Sequence, residues 1–315
     1  MSGHCGVVTY DPAELVVTAR GGTRLADLDA LLHANGQCLP FEPPCFDAAS
    51  TVGGMIAAGL AGPARVARGP VRDYVLGARV LTGDGRVLRF GGEVMKNVAG
   101  YDVARLLAGS LGILGVILDV SLKVLPMRPS LTVSMPCSYR RAFDTLASDA
   151  ISAAPVTGSV WWRDRLCVRL EGSTFALNEI VPTLDGEIMA AEDANALWRD
   201  IRDQQHEFFV RARNLWRVNV PGRAPCVEPA NAHDWLLEWK GAQRWYANTD
   251  AVTVAEIARA GDGFATRFRS DDTGVLVDDE VFAPLPTSIM ALHRSLKHAF
   301  DPAGILNPGR MYAGL

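Results

Sequence analysis

Glycines stand at 109, 112 and 115 of the apolar run Gly109-Ser110-Leu111-Gly112-Ile113-Leu114-Gly115-Val116-Ile117. The run closely follows Gly92-Glu93-Val94-Met95-Lys96-Asn97-Val98-Ala99-Gly100-Tyr101-Asp102. Glycine weakens helix and strand alike, so three at this spacing mark backbone that bends or approaches something closely. One reading is a tight turn between a helix over 103–108 and a buried strand over 116–124. The other is backbone lying against a flat or phosphorylated ligand. Local chemistry leaves both open.

The bulk properties narrow the class. With 315 residues, 49% apolar and 21% charged, the chain has the mix of a soluble globular protein with a real core and room for two domains. A net charge of -4 gives a nucleic-acid partner no electrostatic support. The six cysteines include no CxxC pair and the six histidines no HExxH, so no metal site is spelled out. Nor is there a GxSxG elbow, a GxGxxG after a strand or a GxxxxGK[ST] phosphate loop. The N-terminus lacks a basic n-region with an apolar stretch behind it, and the longest apolar runs are glycine-broken, far short of the ~20 residues of a membrane span. A cytoplasmic protein is expected.

In chain order, Leu15–Ala19 reads as a short buried strand and Arg20-Gly21-Gly22-Thr23 as the turn into a helix, with Thr23 as its N-cap. Asn35-Gly36 ends that helix. Ser50-Thr51-Val52-Gly53-Gly54 opens a second helix, Met55-Ile56-Ala57-Ala58-Gly59. Glycines beside a free hydroxyl at a helix start can present N–H groups to an anion; close helix–sheet packing is the plainer alternative. Gly83-Asp84-Gly85 between two β-rich runs predicts a hairpin. A domain boundary is placed at Pro126, after which strands and helices alternate as an α+β layer with helices on one face of a sheet. The tail Asp301-Pro302 through Asn307-Pro308-Gly309 is too specific for a free end and needs something to hold it.

Thr51-Val52-Gly53-Gly54, Lys96 through Asp102, Gly109 through Gly115 and Asp301 through Gly309 together resemble the vanillyl-alcohol-oxidase, PCMH-type FAD-binding proteins. Phe41-Glu42-Pro43-Pro44, Val94 through Asp102, Leu215-Trp216-Arg217 and Trp239 through Trp245 resemble more closely the smaller FAD-binding (E) subunit of bacterial glycolate oxidase, over about Thr9 to Met311. The resemblance implies an α+β chain. A PCMH-type FAD-binding domain would span 1–126, an α+β cap domain 127–297, and a tail 298–315 would return to the FAD domain. It implies non-covalent FAD at Thr51, Val52, Gly53, Gly54, Ala58, Gly59, Lys96, Gly100, Tyr101, Asp102, Gly109, Ser110, Gly112, Ile113, Gly115, Val116, Ile117 and Asn307. The family's N-terminal Arg-Gly-Gly-Gly-Ser/Thr-like pyrophosphate loop has no match; the sequence is expected to begin after it. Ile113 stands where the motif more often has Thr, a loss of at most one hydrogen bond, roughly 0.5–1.5 kcal/mol.

The function so implied is a subunit of a glycolate-oxidase-like complex. It would partner a second FAD-binding subunit and an iron–sulfur subunit, act on a small 2-hydroxy acid, and meet the inner membrane only through the complex. Oxidising such an acid needs a base and an Arg clamp for its carboxylate. Arg163, Arg217 and Arg244 are candidates for the clamp; no base is marked, so no catalytic residue is named and oxidation on a partner subunit is expected. Two alternatives stay open: an assembly subunit that has lost FAD, and a stand-alone FAD-dependent alcohol dehydrogenase.

Overall fold

The computed structural model describes residues 1, 3–92, 102–222, 224–229, 233–270 and 281–315. Lys96, Gly100 and Tyr101, with most of the segment they belong to, lie outside the described residues, as do the acidic stretches around 271–280.

The chain forms two compact units. Unit 1 comprises Met1–Gly62, Gly69–Met127 and Pro284–Leu315; unit 2 comprises Pro63–Arg68 and Arg128–Ala283. In chain order unit 1 holds β1 (Val7–Asp11), β2 (Val16–Arg20), α1 (Leu25–Ala34), β3 (Gln37–Cys38) and α2 (Val52–Ala58). After the excursion α3 (Arg65–Arg68) come β4 (Val75–Leu81), β5 (Val87–Gly91), α4 (Val103–Leu106), β6 (Val116–Lys123) and β7 (Leu125–Pro126). Five strands make an antiparallel sheet in the order β1-β2-β6-β4-β5. Its core joins Val17 and Val120 from the sheet to Leu28 and Leu32 of α1 and Val52 and Ile56 of α2.

Helix α1 starts differently from expectation. Its N-cap is Arg24 without a side-chain cap bond. The Thr23 hydroxyl is occupied by Gly6, accepting from its N–H at 2.9 Å and donating to its carbonyl at 3.1 Å.

Unit 2 holds β8 (Ser130–Pro136), α5 (Tyr139–Ala147), α6 (Asp149–Ala153), β9 (Val156–Trp162), β10 (Arg165–Glu171), α7 (Thr174–Ile180), β11 (Glu187–Ile188), α8 (Ala191–Arg202) and α9 (Glu207–Arg211). Then follow β12 (Leu215–Asn219), β13 (Trp235–Glu238), β14 (Gln243–Ala247), α10 (Ala251–Ala260) and β15 (Phe264–Arg269). The antiparallel sheet runs β11-β8-β10-β9-β13-β14-β12-β15. Side chains alternate across it: Leu166, Val168 and Leu170 join one apolar cluster with Ala142, Leu146, Val254 and Ile257, while Cys167 joins another with Trp198, Ile201, Phe208 and Phe209. Helices therefore cover both faces, α5 and α10 on one, α8 and α9 on the other, correcting the one-faced layer expected. Five of the tryptophans, 161, 198, 235, 239 and 245, are buried.

The last helix, α11 (Thr287–Phe300), was expected to lie within the cap up to 297. It belongs to unit 1 from Pro284 onward, because Met290, Leu296 and Phe300 pack on that unit's core.

Candidate functional site

Thr51 caps α2, its side-chain oxygen accepting from Gly54 N–H at 3.2 Å. The other first-turn amides are taken as well: Val52 N–H donates to the Thr23 carbonyl at 2.9 Å and Gly53 N–H to the Gly21 carbonyl at 2.8 Å. A helix start with free amides draws a phosphate; this one turns them inward. Of the two readings of Thr51 to Gly54, these bonds favour close packing, which accounts for the glycine at 53, where a Cβ would stand 2.9 Å from the Gly21 carbonyl oxygen. The Val52 side chain is wholly buried.

What α2 leaves open is its small-residue face. A cavity of about 140 Å³ is lined by Thr51, Gly54 and Ala58 together with Pro43, Pro44 and Phe46. Apolar walls with a hydroxyl at the rim suit the edge of a planar ring better than a phosphate. Gly59 ends the helix at φ +62°, and a Cβ there would lie 2.6 Å from Gly109 N.

The three glycines of the apolar run have three different causes. Gly109 takes φ +84° and has nothing within 4 Å of where a Cβ would stand. At Gly112, φ +74°, a Cβ would meet Asn307 Nδ2 at 2.8 Å. At Gly115 it would overlap the Val80 side chain, so the strand pairing itself requires glycine there. Turn, close approach and open surface are all present in one loop.

That loop is braced from both sides. Gly109 N–H donates to the Ile56 carbonyl at 3.0 Å and Leu111 N–H to the Ala57 carbonyl at 2.8 Å, both at the end of α2. Asn307 Nδ2 donates to the Leu111 carbonyl at 2.8 Å. Ser110 and Ile113 are buried, Ile113 in the core, which is why an apolar side chain serves there. Val116 and Ile117 pair with Leu81 and Val80. Asp102 is exposed and forms an ion pair with Arg105 at 3.0 Å.

The structure therefore brings Thr51, Gly54, Ala58, Gly59, Gly109, Ser110, Gly112 and Asn307 to the two ends of one short helix and the loop beside it. These residues fit a flavin nucleotide in part. The slot and the open backbone at Gly109 accept a flat ring, whereas the α2 amides are not available to a diphosphate.

Of the three arginines, two are spoken for. Arg244 is fully buried and donates to the carbonyls of Gly241, Pro225 and Ala224 at 3.1, 2.6 and 2.6 Å. Arg163 lies 4.2 Å over the Trp162 ring and donates to His233 Nδ1 and Glu207, both at 3.1 Å. Arg217 differs: its Nε–H is buried and makes no hydrogen bond. Burial, then the like charge of Arg65, lowers its pKa to about 10 against the opposing pull of Glu238. Next to these groups Trp239 and Lys240 both take positive φ, +51° and +55°, strained backbone of the kind that gathers at functional sites. Among the described residues no cluster of His, Cys, Asp or Glu is placed to hold a metal ion, and no helix is long and apolar enough to cross a membrane.

Residues 1–91 match the family described as FAD binding domain, and residues 286–311 match the C-terminal domain of FAD linked oxidases. Fold and slot together define an FAD-linked oxidoreductase. The chain is 44% identical to glycolate oxidase subunit GlcE of Escherichia coli K12, over 99% of its own length and 86% of that protein. It belongs to the GlcE family. More distantly, 50% of the chain is 30% identical to glycolate oxidase subunit GlcD of Bacillus subtilis, spanning 34% of that relative. A solved structure of alkyldihydroxyacetonephosphate synthase shares the fold, with a TM-score of 0.65 at 15% identity, covering 98% of this chain and 67% of that one.

Proposed function

We propose that this chain is the FAD-carrying E subunit of a glycolate-oxidising complex, working beside a second FAD-binding subunit and passing electrons to an iron–sulfur subunit. The near full-length similarity to GlcE carries the reading. Bound FAD would supply the redox chemistry; the chain's own residues would shape the ring slot at Pro43, Pro44, Gly54 and Ala58 and hold the Gly109–Gly115 loop. The complex would bring the subunit to the inner-membrane surface, and the diphosphate would be held outside the α2 start.

The test is the visible spectrum of the purified chain, alone and with FAD, followed by co-purification with its two partner subunits. Flavin bands that survive gel filtration, and a ternary complex, are expected. A chain that stays colourless yet assembles would instead be a structural subunit.

A second reading, that the hydroxy acid itself binds on this chain, has one observation in favour. Arg217 is a half-buried guanidinium whose buried Nε–H makes no hydrogen bond and which feels the like charge of Arg65, an arrangement that a carboxylate besides Glu238 would complete.

A further inference from the structure

Lys297, in the last turn of α11, is buried. Its ammonium donates to the Ile113 carbonyl at 2.9 Å, the Leu306 carbonyl at 2.6 Å and the Asp301 carboxylate at 2.6 Å. Asp301 in turn accepts from the amides of Ile305 and Leu306 at 3.2 and 2.8 Å. A buried ion pair is weak evidence of stability, since well-packed apolar residues of similar volume often do as well. Its three partners instead fix geometry. Two of them, Asp301 and Leu306, belong to the tail; the third is the glycine loop, 184 residues earlier.

Asn307 makes the second link to that loop, to Leu111, 196 residues away. Leu111 and Asn307 both hold positive φ, +52° and +41°. Non-glycine residues keep such conformations only where their surroundings over-determine them. The tail thus grips the loop by two alternate carbonyls, Leu111 and Ile113, while α2 holds it through the amides of Gly109 and Leu111.

We propose that Lys297 and Asn307 are positioning residues for the cofactor: acting through Ile113 and Leu111, they hold the Gly109–Ile113 loop in the shape in which its open backbone at Gly109 can meet the flavin. This rests on the reading of unit 1 as the FAD site.

The experiment uses the full chain with Asn307→Ala and Lys297→Met. Amide hydrogen exchange over 109–115 is followed without FAD, FAD affinity by flavin fluorescence, and global stability by thermal unfolding. The Asn307 side chain is at the surface, so its variant should melt close to wild type. Exchange at Leu111 and Ile113 should rise roughly three- to tenfold, the factor one hydrogen bond carries, and FAD affinity should fall by a similar factor. Unchanged exchange, or faster exchange with unchanged FAD affinity, overturns the proposal. If Lys297→Met fails to fold, the Asn307 variant still decides. A wild-type chain that takes up no FAD overturns the underlying reading, and the positioning role with it, whatever the exchange shows of the grip itself.

Discussion

Gly21 lies against the carbonyl oxygen of Ile117, with its own N–H donating to the next carbonyl, Leu118, at 2.6 Å. A Cβ there has only backbone to push against. Gly21→Ala is expected to destabilise unit 1 by about 1–3 kcal/mol, the cost of overpacking a tight contact, read as a lower urea midpoint.

Gly54→Ala should behave in the opposite way. Its Cβ would meet only the Thr51 hydroxyl at 3.2 Å, and alanine is the better helix former by roughly 0.5–1 kcal/mol. Stability should hold or rise while the ring slot narrows. Weaker FAD binding in a chain that melts no lower is the expected pair of results, measured by fluorescence titration and calorimetry.

Arg217 and Arg244 should separate function from architecture. Arg217→Met removes a half-buried charge whose buried Nε–H has no partner, so the melting temperature is expected not to fall. If this chain holds the hydroxy acid, KM for glycolate should rise about 10- to 100-fold, the equivalent of one charge-assisted hydrogen bond. Arg244→Met strips three carbonyls of their donor and should cost about 3 kcal/mol or more. An unchanged KM in the Arg217 variant would remove the one observation in favour of the acid binding on this chain.

Acid should loosen the tail. Burial alone would raise the Asp301 pKa, but hydrogen bonds from Lys297, Leu306 and Ile305 outweigh it and hold the carboxyl below its usual value. A carboxylate whose pKa is depressed by folding contributes stability above its unfolded pKa, about 3.9, and loses it as pH falls through the lower folded value. Urea midpoints from about pH 5 down to pH 2 should fall less steeply for Asp301→Asn than for wild type.

Thiol reactivity should follow burial. Burial pushes the Cys226 thiol up to about 11, leaving roughly one thiolate in a thousand at pH 8. Cys5 is exposed. A disulfide reagent with mass mapping should label Cys5 first and Cys226 only after unfolding.

The sequence showed those features whose chemistry is local. Gly83-Asp84-Gly85 makes its hairpin and Asn35-Gly36 ends its helix because each turn is decided within a few residues. Thr23 misled because its hydroxyl is claimed by Gly6, 17 positions away. Thr51 was readable as the start of α2, but where the α2 amides go depends on the Gly21–Thr23 turn, so the sequence left anion binding and close packing side by side. The second face of the unit 2 sheet was hidden because the inward-facing residues there include Arg169 and Thr132, whose polar atoms find partners, Thr157 and Trp198, only in the folded chain.

The chain's departure at Pro63–Arg68, where Arg68 pairs with Glu171 of unit 2, and its return at Pro284 bear on how the protein is made. Translation delivers the start of unit 1 first, yet that unit lacks Lys297, Asp301 and Asn307 until after unit 2 has been made. Nearly all of unit 2 has left the ribosome by then. The half of the protein that is born second can be finished first, and unit 1 must wait for Pro284 onward with its glycine loop ungripped.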